Sequence, residues 1–254
     1  MLTIENVTKS FGGLMAVNDV TLQLDPTGIA GLVGPNGSGK STLFHLITGF
    51  YKLDGGAVYF KDRRISGLSP HIISRMGLVR TFQHTRVLPF LTAQENLMAA
   101  SPAQAGERLT AVFLRPGRVK LEENKNRERA VEILEILNLK SLCHHLAGRL
   151  SFGQQKLLEL GRVLMAEPGM ILLDEPTAGI NPTLIRQLVE IIKGLSRRGI
   201  RIFLIEHNMP LVAELCTKTF VMDSGSLIFS GTPAAARENS RVIEAYLGRE
   251  DHAA

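Results

Sequence analysis

Gly34-Pro35-Asn36-Gly37-Ser38-Gly39-Lys40-Ser41-Thr42 fits the phosphate-loop pattern G-x-x-x-x-G-K-[ST] at every fixed position. Ile29-Ala30-Gly31-Leu32-Val33 precedes it as a short apolar run, the pattern of a buried strand. Leu43-Phe44-His45-Leu46-Ile47 follows as the first turns of a helix. Strand, glycine loop and helix in that order are the setting the motif requires. Polyphosphate carries dense negative charge and many acceptor oxygens. Glycines let backbone N–H groups curl around it with no Cβ in the way, and the positive end of the next helix adds to the attraction. In this pattern Lys40 reaches the β- and γ-phosphates, and the Ser41 hydroxyl ligates Mg²⁺.

The 254 residues suffice for one large domain or two small ones. Apolar content of 44% and charged content of 21% are those of an ordinary globular protein. No run approaches the roughly 20 apolar residues of a membrane span, and no charged-then-apolar leader opens the chain. A cytosolic protein is expected. Cys143 and Cys216 give no disulfide framework, and Cys143-His144-His145 has no second ligand pair at metal spacing, so it reads as surface histidines beside a thiol. The net charge of +5 suits an anionic nucleotide and is compatible with an anionic membrane face. Its scatter, the lack of tryptophan and the presence of only three tyrosines argue against nucleic acid as a partner.

Leu2 to Val7 alternates and reads as an edge strand; Phe11-Gly12-Gly13 follows as a turn. Phe11, on a loop ahead of the phosphate loop, either stacks on an adenine ring or fills core. Strands are expected at Val20–Leu24, Ala57–Phe60 and Leu78–Thr81, the last ending at Phe82-Gln83, with a short helix from Ser69-Pro70 to Met76. From about 85 to 150 strand signals stop. Glu122 to Leu139 carries Ala130, Leu134 and Leu137 at helical spacing among many charges, so this stretch reads as an inserted helical subdomain. The remainder, about 1–84 and 151–254, reads as the core. There, Leu150 to Gln155 introduces a helix, and Met170-Ile171-Leu172-Leu173 reads as a central parallel strand ending in Asp174-Glu175. Asn181-Pro182 caps a helix, Ile200–Ile205 is a strand ending at Glu206-His207, and a hairpin over 220–229 precedes a short terminal helix. Strands alternating with helices indicate an α/β fold with a mostly parallel sheet.

Hydrolysis of a nucleotide needs a metal, an oriented water and a proton acceptor. Asp174 closes an apolar strand, where its carboxylate can hold Mg²⁺ from the side opposite Ser41, and Glu175 can face the attacking water. Gln83 and His207 also follow predicted strands, and strand ends of a parallel sheet gather on the ligand-binding edge.

With these motifs the chain resembles the ATP-binding subunits of ABC transporters along nearly its whole length. The matching stretches are Gly34 to Thr42, the Q-loop Gln83, the signature motif Leu150 to Gln155, the second Walker motif Met170 to Glu175 and the switch histidine His207. The resemblance implies a phosphate-loop core with an N-terminal antiparallel β subdomain and an inserted helical subdomain. It also implies ATP and Mg²⁺ as ligands, with Glu175 as general base. By the same resemblance His207 holds the γ-phosphate and the water, Gln83 senses the metal, and Phe11 stacks on adenine. Each ATP is then sandwiched between one subunit's phosphate loop and the signature of the other, Ser151, Phe152, Gly153 and Gln154. A second ATPase subunit, identical or related, and transmembrane permease subunits are therefore implied partners, with the chain peripheral on the cytoplasmic face of the inner membrane.

Two positions depart from the pattern: Phe152 stands where glycine is common, and Asn181 where aspartate is common. Within the superfamily, Arg75 to His84, Phe152 to Gln155 and Ala245-Tyr246-Leu247-Gly248 are similar to branched-chain amino acid importer ATPases. Urea or amide importers and the lipopolysaccharide-export ATPase share much the same motifs. A soluble ABC ATPase of translation or DNA repair is the reading from another class, but it calls for paired domains or coiled-coil insertions that this chain lacks.

Overall fold

The computed structural model describes residues 1–25, 27–81, 87–102 and 116–247. It divides into two compact units: residues 1–80, 169–177 and 192–254 in the first, and 81–168 and 178–191 in the second. Gln83 lies outside the described residues.

The first unit holds two sheets. Strands β1 (Leu2–Phe11), β2 (Leu14–Gln23), β4 (Gly55–Phe60) and β5 (Arg63–Arg64) form a four-stranded sheet in the order β2-β1-β4-β5. Its β1–β2, β1–β4 and β4–β5 pairings are all antiparallel. β1 is therefore an inner strand and not the edge strand its alternation suggests. Alternation reports one buried face, and that holds for an inner strand of a one-sided sheet as well as for an edge. Ile4 and Val7 point into the core while Glu5 and Asn6 face water.

The second sheet has six strands in the order β10-β9-β3-β8-β7-β6: β3 (Ile29–Val33), β6 (Leu78–Arg80), β7 (Met170–Asp174), β8 (Arg201–Ile205), β9 (Lys218–Asp223) and β10 (Ser226–Gly231). Every neighbouring pair is parallel except the β9–β10 hairpin. β3 and β7 are buried along their whole lengths, as their unbroken apolar runs require. Helix α1 (Lys40–Ile47) buries Leu43, Phe44, Leu46 and Ile47. The core of this unit joins Ile4, Val58, Leu32, Phe44, Leu172, Phe203 and Phe220 in one cluster. Helix α2 (Pro70–Arg75) follows Ser69 as expected.

The second unit is helical: α3 (Ala93–Met98), α4 (Pro116–Ile136), α5 (Phe152–Met165) and the start of α6 (Pro182–Arg197). It reaches beyond the 85–150 span, because Leu157, Leu160 and Leu164 of α5 are buried and α5 packs on α3 and α4. Gly161 marks the closest approach: a Cβ there would lie 2.7 Å from Leu137 and 2.9 Å from Leu97. Thr92 begins α3 with a full capping box, its hydroxyl accepting the Glu95 N–H while Glu95 accepts the Thr92 N–H. Back in the first unit, α7 (Met209–Leu215) is followed, after the β9–β10 hairpin, by two short helices, α8 (Pro233–Glu238) and α9 (Ser240–Leu247). Asn239 separates them; its extended backbone ends α8 and its side-chain oxygen accepts the Val242 N–H in α9. Among the described residues no helix is long and apolar enough to cross a membrane.

Phe203 on β8 is fully buried between Phe44, at a ring separation of 5.1 Å, and Phe220, at 6.1 Å. Phe203→Ala should destabilise the fold by about 3–5 kcal/mol, the usual loss for an aromatic truncated in a core. Denaturant titration should show a lower midpoint.

Candidate functional site

The C-terminal ends of three adjacent parallel strands build the site. β8 lies between β3 and β7, with Ile205 in register with Leu32 on one side and Asp174 on the other. The segments that follow these strands therefore leave the sheet side by side: Gly34 to Thr42 from β3, Glu175 from β7, and Glu206-His207 from β8. This is the edge where open α/β sheets take ligands.

The phosphate loop is shaped by what lies behind it. Gly34 has φ of 146°, and a Cβ there would lie 2.0 Å from the Met222 carbonyl oxygen, so no side chain fits. The Gly225 N–H donates to the Ser38 carbonyl at 3.1 Å, so the β9–β10 hairpin supports the loop. Asn36 and Gly37 are exposed at its tip, Pro35 and Gly39 are partly buried, and Ser38 is fully buried. Ser41 and Thr42 stand half-buried in the first turn of α1. The Lys40 ammonium donates to the carbonyls of Gly34 and Pro35, both at 2.8 Å, and to Ser38 Oγ at 3.3 Å. The cation is thus held at the centre of its own loop. On α9, burial pushes the Tyr246 phenol above its usual range, partly opposed by the nearby Gly34 N–H.

Asp174 is buried, and its Oδ2 accepts from Arg80 Nη2 at 2.6 Å. The Arg80 guanidinium also lies 5.7 Å from the centre of the Phe44 ring. His45 is held below the usual histidine range, first by burial and then by the Arg80 charge, against the pull of Asp174. Its imidazole is therefore neutral near pH 7. Glu175 is half-buried and sits in the left-handed region, φ 46°, with its N–H donating to the Ile205 carbonyl at 3.1 Å. His207 is exposed, and Asn208 after it caps α7 by accepting the Leu211 N–H. Phe11 closes β1 and is not on a loop; its half-exposed ring meets Tyr51 edge-on at 5.3 Å, with Lys9 Nζ 5.3 Å from its centre.

In the helical unit, Ser151 is the N-cap of α5, and its hydroxyl and the Gln154 side chain close a capping box on each other. Gly153 permits close helix packing, since a Cβ would lie 1.9 Å from Leu184 of α6. Phe152, half-exposed, lies against Gly179, where a Cβ would be 3.1 Å from its ring, and Lys156 Nζ sits 5.3 Å from its centre. Asn181 caps α6: its side-chain oxygen accepts the Leu184 N–H at 2.9 Å. Both departures from the common pattern thus have local packing roles.

Sequence reasoning missed Arg80, Glu206 and Tyr51. Arg80 had a signal, a lone cation in a run read as strand. Cys216 is a core thiol pushed up to about 12, first by burial and then by the Glu206 carboxylate. Among the described residues no group of three or more His, Cys, Asp or Glu side chains is placed to hold a metal.

The sequence model of the family described as "ABC transporter" matches residues 17–178, and that described as "Branched-chain amino acid ATP-binding cassette transporter" matches 226–252. The high-affinity branched-chain amino acid transport ATP-binding protein LivG of Escherichia coli is 39% identical over 249 residues, covering 98% of each chain. BraF of Pseudomonas aeruginosa, of the same description, is 38% identical and also covers 98% of each chain. A crystal structure of the ADP conformation of an ABC-transporter ATP-binding cassette aligns at TM-score 0.82 and 35% identity, covering 98% of this chain and 99% of its own.

Lys40→Ala removes the ammonium that reaches the Gly34 and Pro35 carbonyls and Ser38 Oγ. Nucleotide affinity should fall about 10- to 100-fold, the size of one or two charge-assisted hydrogen bonds. Titration with ATP, followed by fluorescence or calorimetry, measures the loss.

Proposed function

On the premise that this chain belongs to the ABC transporter family of ATP-binding domains, we propose that it powers import of branched-chain amino acids. The observation that carries its ATPase role is the adjacency of Lys40, Asp174, Glu175 and His207 at the ends of three neighbouring parallel strands. The amino-acid reading is supported by the match at residues 226–252 and by the identity to LivG and BraF.

The residues present fit a magnesium–nucleotide complex. A glycine cradle without room for a Cβ, a buried lysine and a helix N-terminus suit polyphosphate. A hydroxyl at Ser41 and a carboxylate at Asp174 are hard oxygen donors of the kind Mg²⁺ takes, with Gln83 as a further donor by family resemblance. Bound Mg²⁺ supplies charge neutralisation for the β- and γ-phosphate oxygens. Lys40 orients the terminal phosphates. Arg80 holds one oxygen of Asp174 and so fixes the orientation of that carboxylate. Glu175 takes a proton from the attacking water, and His207, exposed two residues past the end of β8, holds the γ-phosphate and the water.

Ser151, Phe152, Gly153 and Gln154 form the face offered to the nucleotide of a second ATPase subunit. The N-terminus of α5 supports this reading, because its first N–H groups favour an anion. ATP then lies in the interface of a head-to-tail pair, and its hydrolysis reopens the pair. Transmembrane permease subunits convert that motion into solute movement, with the ATPase peripheral on the cytoplasmic face. Phe11 and Tyr51 form the aromatic ground for adenine.

Glu175→Gln should keep ATP binding and lower kcat by about 10²–10⁴-fold, the range for loss of a general base. Gel filtration with ATP should then show an accumulated dimer, and turnover at the parental rate would defeat the base assignment. Affinity capture from membranes should recover branched-chain permease subunits; recovery of ribosomes or DNA in their place would overturn the transport reading.

A further inference from the structure

Glu206 is a fully buried carboxylate one residue before His207. Burying a carboxylate is costly unless hydrogen bonds replace its hydration. Here the Glu206 Oε1 accepts two donors from one residue, the Thr177 hydroxyl at 2.6 Å and the Thr177 N–H at 3.2 Å. Its other oxygen, Oε2, has no hydrogen-bond partner among the described residues. Thr177 lies two residues past Glu175. The end of β8 therefore catches the segment after β7 at two points: the Ile205 carbonyl takes the Glu175 N–H, and Glu206 takes Thr177.

Between those two points Glu175 is held at φ 46°, a conformation unfavourable for a residue with a side chain. Such a backbone persists only where its surroundings over-determine it. Without the second point, the segment beyond Glu175 is freer to relax toward an ordinary conformation and re-aim the carboxylate. A backbone carbonyl suffices to anchor an ordinary loop. A charged acceptor in the core bonds more strongly and fixes both the N–H and the hydroxyl of one residue.

We propose that Glu206 is a positioning residue for ATP hydrolysis. Through Thr177 it sets the direction of the Glu175 carboxylate and keeps it in step with His207, the next residue along β8's own continuation. The inference rests on Glu175 as the general base, and Glu206, fully buried, acts through Thr177.

The test compares Thr177→Val, Thr177→Ser, Glu206→Ala and Glu206→Gln in the full chain, with kcat and KM for ATP and separate titration of ADP binding. Thr177→Val and Glu206→Ala should lower kcat about 10- to 100-fold, the cost of a small misplacement of a catalytic group. KM and ADP affinity should stay within about two-fold of parental, because Lys40 and its loop are untouched. Thr177→Ser keeps the hydroxyl and should restore kcat, and Glu206→Gln keeps an acceptor oxygen and should fall between. The double variant Thr177→Val with Glu206→Ala should be no slower than Glu206→Ala alone.

Parental kcat in Thr177→Val would overturn the proposal, as would a matching loss of ADP affinity in every variant. If Glu206→Ala fails to fold, the Thr177 pair decides, since it leaves the buried carboxylate in place. Glu175→Gln run alongside separates the two readings. Parental turnover there defeats the base assignment, whereas a dead Glu175→Gln beside a normal Thr177→Val defeats only the tether.

Discussion

The pairing of β8 with both β3 and β7 is the constraint on which the site depends. Strands buried on both faces must satisfy every N–H and C=O in the sheet, because no water reaches them. That fixes Ile205 against Leu32 and Asp174, and a slip of one residue would turn each side chain to the opposite face. Segments far apart in the chain are thereby brought to one edge with a common register. Phe203, facing Phe44 and Phe220, locks the same strand through its side chains.

Onto this apolar frame the protein places a few charges deep in the core. Arg80 and Asp174 are both almost wholly buried and meet at 2.6 Å. Such a pair contributes little net stability when complete, yet losing one partner costs several kcal/mol, because the other charge is left uncompensated. Its use here is directional. A carboxylate with one oxygen fixed by a guanidinium has a defined face for the rest of the site. His45, kept neutral by burial and by Arg80, adds no competing positive charge.

The sequence made the phosphate loop, Asp174-Glu175 and His207 legible, because each is a local pattern: glycines at fixed spacing, or a polar residue ending an apolar run. The α/β class and the helical stretch were legible for the same reason, since periodicity is local. What was not legible depends on pairing across the chain. β1 read as an edge because alternation cannot count neighbours, and β4 turned out to flank it. Arg80 and Glu206 acquire meaning only beside Asp174 and Thr177, and no spacing in the chain announces either meeting. The reach of the second unit was hidden in the same way, since the buried face of α5 looks identical whether it packs on strands or on α3 and α4.

The hairpin behind the phosphate loop has a consequence for the birth of the protein. Met222 backs Gly34, and Gly225 bridges the Ser38 carbonyl and the Asn18 N–H, so the cradle is complete only with the β9–β10 segment in place. A ribosome adding about 5–20 residues per second takes roughly 10 to 40 seconds to travel from residue 42 to residue 225. Through that interval the nascent chain carries its glycine loop without its backing. Until then Gly34 lacks the Met222 carbonyl behind it and the Ser38 carbonyl lacks its Gly225 N–H, so the loop and its support are made far apart in time.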